Sequence, residues 1–159
     1  MPNQVRSVPE GFRTMTPNLV CPNAARAIEY YKTAFGATEL RRELGPHGEI
    51  MHAELQIGDS KFFLNDTMSK TPIPSPGQGV SNLMYIHLYV PDADKIFNRA
   101  VTGGARVDMP LQDMFWGDRY GKITDPFGQQ WGIATHIEDV PPEEMPKRAE
   151  EAMKQYAKK

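Results

Sequence analysis

The sequence predicts an α+β fold built from two β-α-β-β-β modules, and three observations predict it. The stretches NAARAIEYYKTAFGA (residues 23–37) and DADKIFNRAVTGGAR (92–106) each begin on a capping residue, carry apolar residues at helical spacing and end on glycine. Each is followed by a hairpin pattern: MHAELQIGDSKFFLN (51–65), turning at Gly58-Asp59, and residues 120–135, turning at Asp125-Pro126-Phe127-Gly128. Setting Gly36-Ala37 on Gly104-Ala105 places Ile28 on Ile96, so the second half repeats the first.

Residues 1–13 are polar, with prolines at 2 and 9, and read as a loose tail. A strand is expected over 14–20. Asn23 caps the first helix, whose apolar face is Ala24, Ala27, Ile28 and Tyr31. Gly36 ends it. A second strand covers 38–44, and Gly45-Pro46-His47-Gly48 is a turn with His47 exposed.

In the first hairpin Ala53, Leu55 and Ile57 alternate with His52, Glu54 and Gln56. Successive strand residues point to opposite faces. A two-residue turn then sets Glu54 against Phe63 and His52 against Asn65. Ala53, Leu55, Phe62 and Leu64 face the helix; His52, Glu54, Phe63 and Asn65 face the other way, toward solvent or a cavity. The first module is residues 14–65, and the Pro-, Gly- and Ser-rich residues 66–82 form a linker.

The second module spans 83–137. Its first strand (83–90) turns Leu88 and Val90 toward the helix and Tyr85, His87 and Tyr89 away from it. Asp92 caps a helix with the stripe Ala93, Ile96, Phe97 and Ala100. A short strand at 105–107 and a loop at 109–118 follow. Strands at 120–124 and 129–135 flank the Asp-Pro turn, in which proline presets φ and Gly128 supplies a positive φ. His136 falls just past the last strand, as a surface or interface residue. Residues 138–159 are a helical appendage with Pro146 in its first turn. Its apolar face (Ala149, Ala152, Met153, Tyr156) suits packing on the domain or on a partner.

The chain has 159 residues, 40% of them apolar and 24% charged, which fits a packed core and not disorder. A formal net charge of −2 with no basic run argues against nucleic acid. No apolar stretch matches a membrane helix and no signal peptide is visible, so the expected compartment is the cytoplasm. Cys21 is the one cysteine, which excludes an internal disulfide and a thiolate zinc site.

Chemistry concentrates on a few side chains. His52 and Glu54 share a strand face, and His87 belongs to the corresponding face of the second module. Two histidines and a carboxylate suit either a divalent metal with open positions or a general base with its orienting partner; satisfied polar residues lining a cavity are the plain alternative. The aromatics Phe63, Tyr85, Tyr89, Trp116 and Tyr120 offer flat apolar walls suited to a small organic ligand, or simply fill space. Arg119, in the loop FWGDRY, either pairs with Asp118 or holds an anionic group of a ligand.

The paired modules, with MHAELQIGDS and FWGDRYGKITDPFGQQWGIATHIED, resemble the vicinal-oxygen-chelate superfamily of glyoxalase I, extradiol dioxygenases and bleomycin-resistance proteins. Within it these two motifs resemble the phosphonate-cluster B branch, also labelled demethylubiquinone-methyltransferase-like. The likeness covers about residues 14–137. It implies two βαβββ modules forming a cupped mixed sheet with helices on the outer face, commonly as a homodimer. The family's metal-ligand positions fall near Thr16, Phe63, Tyr85 and Gly132; none is His or Glu, so no metal or other cofactor is expected at the usual site. The resulting expectation is a homodimer that binds a small organic ligand through His52, Glu54, Phe63, Tyr85, His87, Trp116, Arg119 and Tyr120. The alternatives are a metal-dependent lyase, isomerase or oxygenase using His52, Glu54 and His87, and a structural or regulatory interaction protein.

Overall fold

A computed structural model describes residues 5–67 and 84–158. The chain divides into two units, Met1–Ser75 and Pro76–Lys159. The first contains β1 (Asn18–Cys21), α1 (Ala24–Phe35), β2 (Thr38–Leu44), β3 (Ile50–Ile57) and β4 (Ser60–Asp66). Its sheet has the order β1-β4-β3-β2, with β1 parallel to β4 and the other pairs antiparallel. Asn23 caps α1 by accepting the Arg26 N–H, as its side chain predicts. The expected stripe Ala24, Ala27, Ile28 and Tyr31 is fully buried, and so are Ala53, Leu55, Phe62 and Leu64 on the strands. The Asp66 carboxylate, at the end of β4, accepts the backbone N–H groups of Ala24 and Ile50, both at 2.7 Å. One side chain thus satisfies a free donor of the first helical turn and fixes the start of β3.

The second unit contains β5 (Ile86–Tyr89), α2 (Ala93–Thr102), β6 (Arg106–Asp113), β7 (Asp118–Thr124), β8 (Gln130–His136) and α3 (Met145–Tyr156). Its sheet order is β5-β8-β7-β6, again with one parallel pair, β5 and β8. Asp92 caps α2 through the Lys95 N–H, and Ala93, Phe97 and Ala100 are buried. The α+β fold of two βαβββ units therefore stands. Among the described residues no helix is long and apolar enough to cross a membrane.

Several expected boundaries move, each for a physical reason. Strand β1 starts at Asn18, not at residue 14, because Pro17 has no N–H to donate; its carbonyl accepts the Phe63 N–H at 2.8 Å. The expected loop over 109–118 shrinks, because β6 continues through Pro110 to Asp113 with irregular register. Proline is tolerated there since β6 is an edge strand. The supposed loose tail is anchored from Pro9 onward: Phe12 donates its N–H to the Pro9 carbonyl at 3.1 Å, and its ring packs 5.5 Å from that of Phe63. Helix α3 forms with Pro146 in its first turn, but none of its residues is buried; Met153 is 67% exposed. Arg148 of this helix pairs with Glu138 and Glu144. Residues 1–4, most of the linker (68–82) and Leu83 lie outside the described residues, as does Lys159.

The turn between β7 and β8 is organised by a buried side chain. Asp125, 4% exposed, accepts the N–H groups of Phe127 (2.9 Å) and Gln129 (3.0 Å) on one oxygen and Trp131 Nε1–H (2.9 Å) on the other. Gly128 takes φ +93 and closes the turn onto the Asp125 carbonyl. Trp131 is 1% exposed, and removing the carboxylate takes away an acceptor of its buried indole N–H. Asp125→Ala is expected to cost about 2–4 kcal/mol in urea unfolding, the range for stranding buried donors and losing a turn. A loss below about 0.5 kcal/mol, the level of an ordinary surface change, counts against this role.

Candidate functional site

In each unit the helix covers one face of the sheet, and strand alternation sends the polar and aromatic residues to the other. In the first unit that face carries His52, Glu54 and Phe63, with Glu54 directly opposite Phe63 as the hairpin pattern predicts. His52 Nε2 lies 3.4 Å from Glu54 Oε1, and the His52 ring stands 4.7 Å from the Phe63 ring. Glu54 also receives Arg41 Nε at 3.0 Å, and Arg41 reaches Glu43 at 3.1 Å. Arg41 is not legible as the partner in the sequence, because it comes from the neighbouring strand across an irregular register. With the N-terminal segment, this face encloses a pocket of about 550 Å³.

The second unit builds its face around two centres. The first is Gly132, whose place a Cβ could not occupy without meeting the rings of Tyr120 (2.9 Å), Tyr85 (3.1 Å) and His87 (3.2 Å). His87 stacks on Tyr120 with ring centres 5.5 Å apart and tilts against Tyr89 at 4.6 Å. This ring stacking desolvates the imidazole and pushes its pKa below the ordinary histidine value, against the opposing pull of Asp118. This shift favours the neutral imidazole. Burial also raises the Tyr120 phenol, helped by its hydrogen bond with Tyr85. Lys122 Nζ sits 4.4 Å over the Tyr85 ring.

The second centre is Asp118, which is 2% exposed. It accepts hydrogen bonds from Tyr89 Oη (2.8 Å), Trp116 Nε1 (3.0 Å) and His136 Nδ1 (2.8 Å). Burial pushes the Asp118 carboxyl up, but the donors from His136, Tyr89 and Trp116 outweigh it and hold the carboxyl below the ordinary range. His136 also donates from Nε2 to Asp139 at 2.8 Å. Trp116, one of the expected aromatic walls, is tied to this carboxylate and packs 5.8 Å from Tyr120.

Of the expected site residues, His52, Glu54 and Phe63 meet in the first unit, and Tyr85, His87, Trp116 and Tyr120 meet in the second. Arg119 does not join them, and it does not pair with Asp118. It grips Asp94 of α2 through two nitrogens (2.6 and 2.7 Å) and Asp113 at 3.0 Å. Alternation explains the difference: Asp118 and Tyr120 share one face of β7, and Arg119 points to the helix side. Asp118 and His136 went unrecognised as partners. Their pairing across β7 and β8 follows from the turn register, which a one-residue change in turn length shifts. Within each unit, no group of three His, Cys, Asp or Glu side chains gathers as a metal-binding set among the described residues.

The carboxylates of Asp139 and Asp118 raise the His136 pKa above its ordinary value. A raised pKa in the folded state stabilises the fold below the ordinary histidine value of 6.5 and loses that contribution as pH rises through the folded value. The melting temperature is therefore expected to fall as pH goes from 5.5 to 8.5, and His136→Gln to lose much of that fall. A variant with the same pH dependence as the parent would dismiss the coupling.

The family model described as Glyoxalase/Bleomycin resistance protein/Dioxygenase superfamily matches residues 13–133. A Mycobacterium bovis protein is 41% identical over 133 residues, covering 79% of this chain and 85% of its own. Among solved structures, TioX from Micromonospora sp. ML1 aligns with a TM-score of 0.62 and 27% identity over 79% of this chain and 99% of its own. The PhnB protein of Bacillus cereus shares the fold at a TM-score of 0.63 and 16% identity, over 77% and 99% of the two chains. The chain belongs to the glyoxalase/bleomycin resistance protein/dioxygenase superfamily.

Proposed function

We propose that this protein binds a small organic molecule on the helix-free faces of its sheets, and that the family's usual metal corners are inert in it. The observation that carries this reading is the ring cluster over Gly132. Tyr85, His87 and Tyr120 pack so closely there that even a methyl group meets them at 2.9–3.2 Å. A carboxylate side chain at that position has no room, and glycine has no ligating atom to offer. The corresponding position in the first unit is Phe63, equally without a donor, and its ring is held between His52 and Phe12. What these corners provide instead is flat apolar surface beside a few fixed polar groups, the make-up of a small-molecule site. A neutral His87 accepts a hydrogen bond from such a ligand, and the Tyr89 and Trp116 donors, held by Asp118, keep the surrounding rings in place.

A fragment library screened by thermal shift and two-dimensional NMR tests this. Hits are expected to shift the resonances of His52, Phe63, Tyr85, His87 or Tyr120 with dissociation constants in the micromolar to millimolar range. Gly132→Ala pushes a methyl group into the ring cluster; it is expected to destabilise the fold by about 1–3 kcal/mol, the range for overpacking, and to weaken hits on the second unit. If no fragment touches either face, the binding reading is lost. A stoichiometric transition metal retained through purification without an affinity tag would refute the inert corners.

A further inference from the structure

The N-terminal segment stands out because residues 7–12 precede the region matched by the family model, yet they and residues 13–16 line a pocket with the sheet. Ser7, Pro9, Phe12, Arg13 and Thr16 line one side of the pocket of about 550 Å³ whose other side is Arg41, Glu54 and Phe63. That volume lies within the range that encloses small ligands, roughly 300–1,000 Å³. The segment is held in place. The Phe12 ring rests on Phe63 at 5.5 Å, Lys61 Nζ caps the Phe12 ring at 4.5 Å, and the Pro17 carbonyl pairs with Phe63 N–H at 2.8 Å.

The charges of the pocket point to the ligand. Arg41 is occupied by Glu54 and Glu43, and Glu54 in turn by Arg41 and His52. Arg13 makes no ion pair among the described residues, so one guanidinium is left over beside two phenyl rings. A guanidinium favours a planar carboxylate or similar anion, and phenyl faces favour a flat ring.

We propose that the N-terminal arm is a ligand-binding element of the first unit, whose pocket takes a monoanionic, ring-bearing organic molecule: the ring lies along Phe12 and Phe63, and the anion meets Arg13. This deepens the binding reading above and rests on it. The ligand is recognised by the arm as well as by the sheet, so the arm sets specificity.

The test uses two matched probes, 2-naphthoate and 2-naphthamide, titrated into the full chain and followed by calorimetry and backbone NMR. The parent is expected to bind the anion about tenfold more tightly than the amide, as one charge-assisted hydrogen bond allows. Arg13→Gln should abolish that preference, whereas Phe12→Ala should weaken both probes at least fivefold. Both positions lie outside the buried core, and circular dichroism melts of the variants check that they fold. Equal binding of the two probes by the parent, a preference that survives Arg13→Gln, or shifts confined to residues outside 7–63 would each overturn the proposal. If fragments bind the sheet faces while the arm variants change nothing, only the arm's role falls. If neither naphthalene binds and the fragment screen is also empty, the broader reading falls with it.

Discussion

A four-stranded sheet has two faces, and a single helix can cover only one of them. That constraint governs both units. Residues of one parity along each strand bury against α1 or α2, where Ile28, Tyr31, Leu55 and Leu64, or Phe97, Ile123 and Ile133, leave almost no surface exposed. Burying a side chain of this size contributes about 1.5–3 kcal/mol, so the register cannot slip by one residue without inverting the whole set. The opposite parity is thereby released from the core, and its residues decide what the free face is for.

The two units finish that face differently. In the first, sequence from outside the module supplies the cover: Phe12 lies on Phe63, and the Arg41–Glu54–His52 chain runs along the strands beside it. In the second, the cover is made within the module. Rings close over Gly132, and a buried carboxylate collects three donors from β5, the loop before β7, and β8. Burying Asp118 is costly on its own, and its three donors offset that cost. The result is a set of aromatic side chains with fixed orientations, which a packed apolar cluster alone would not guarantee.

Much of this is legible in the sequence, and where it is not the reason is local. Helix stripes, caps and the Glu54–Phe63 register could be read because periodicity and a two-residue turn determine them. The Asp118–His136 pair could not. If Asp125-Pro126-Phe127-Gly128 is taken as the whole turn, Gln129 becomes the first strand residue. Asp125 in fact accepts the Gln129 N–H, pairing begins at Thr124 and Gln130, and Asp118 comes opposite His136. A side-chain hydrogen bond to the backbone thus lengthened the turn by one residue. Arg119 stands apart from the ring cluster for a simpler reason: its parity on β7 is legible, but its carboxylate partners Asp94 and Asp113 lie on other elements.

The distribution of positive charge makes the same division visible. Arg42 binds Glu39 and Arg106 binds Asp108 within single strands, while Arg119 ties β7 to Asp94 of α2 and to Asp113 of β6, and Arg148 of α3 binds Glu138 and Glu144. A guanidinium with two carboxylate partners has little left to attract an anion, because its donors are already engaged. Arg13 differs in both respects: it braces no element of either sheet, and it sits where two phenyl rings and a pocket already converge. Arg13 is set apart from these arginines by having no ion pair among the described residues and by lining the pocket.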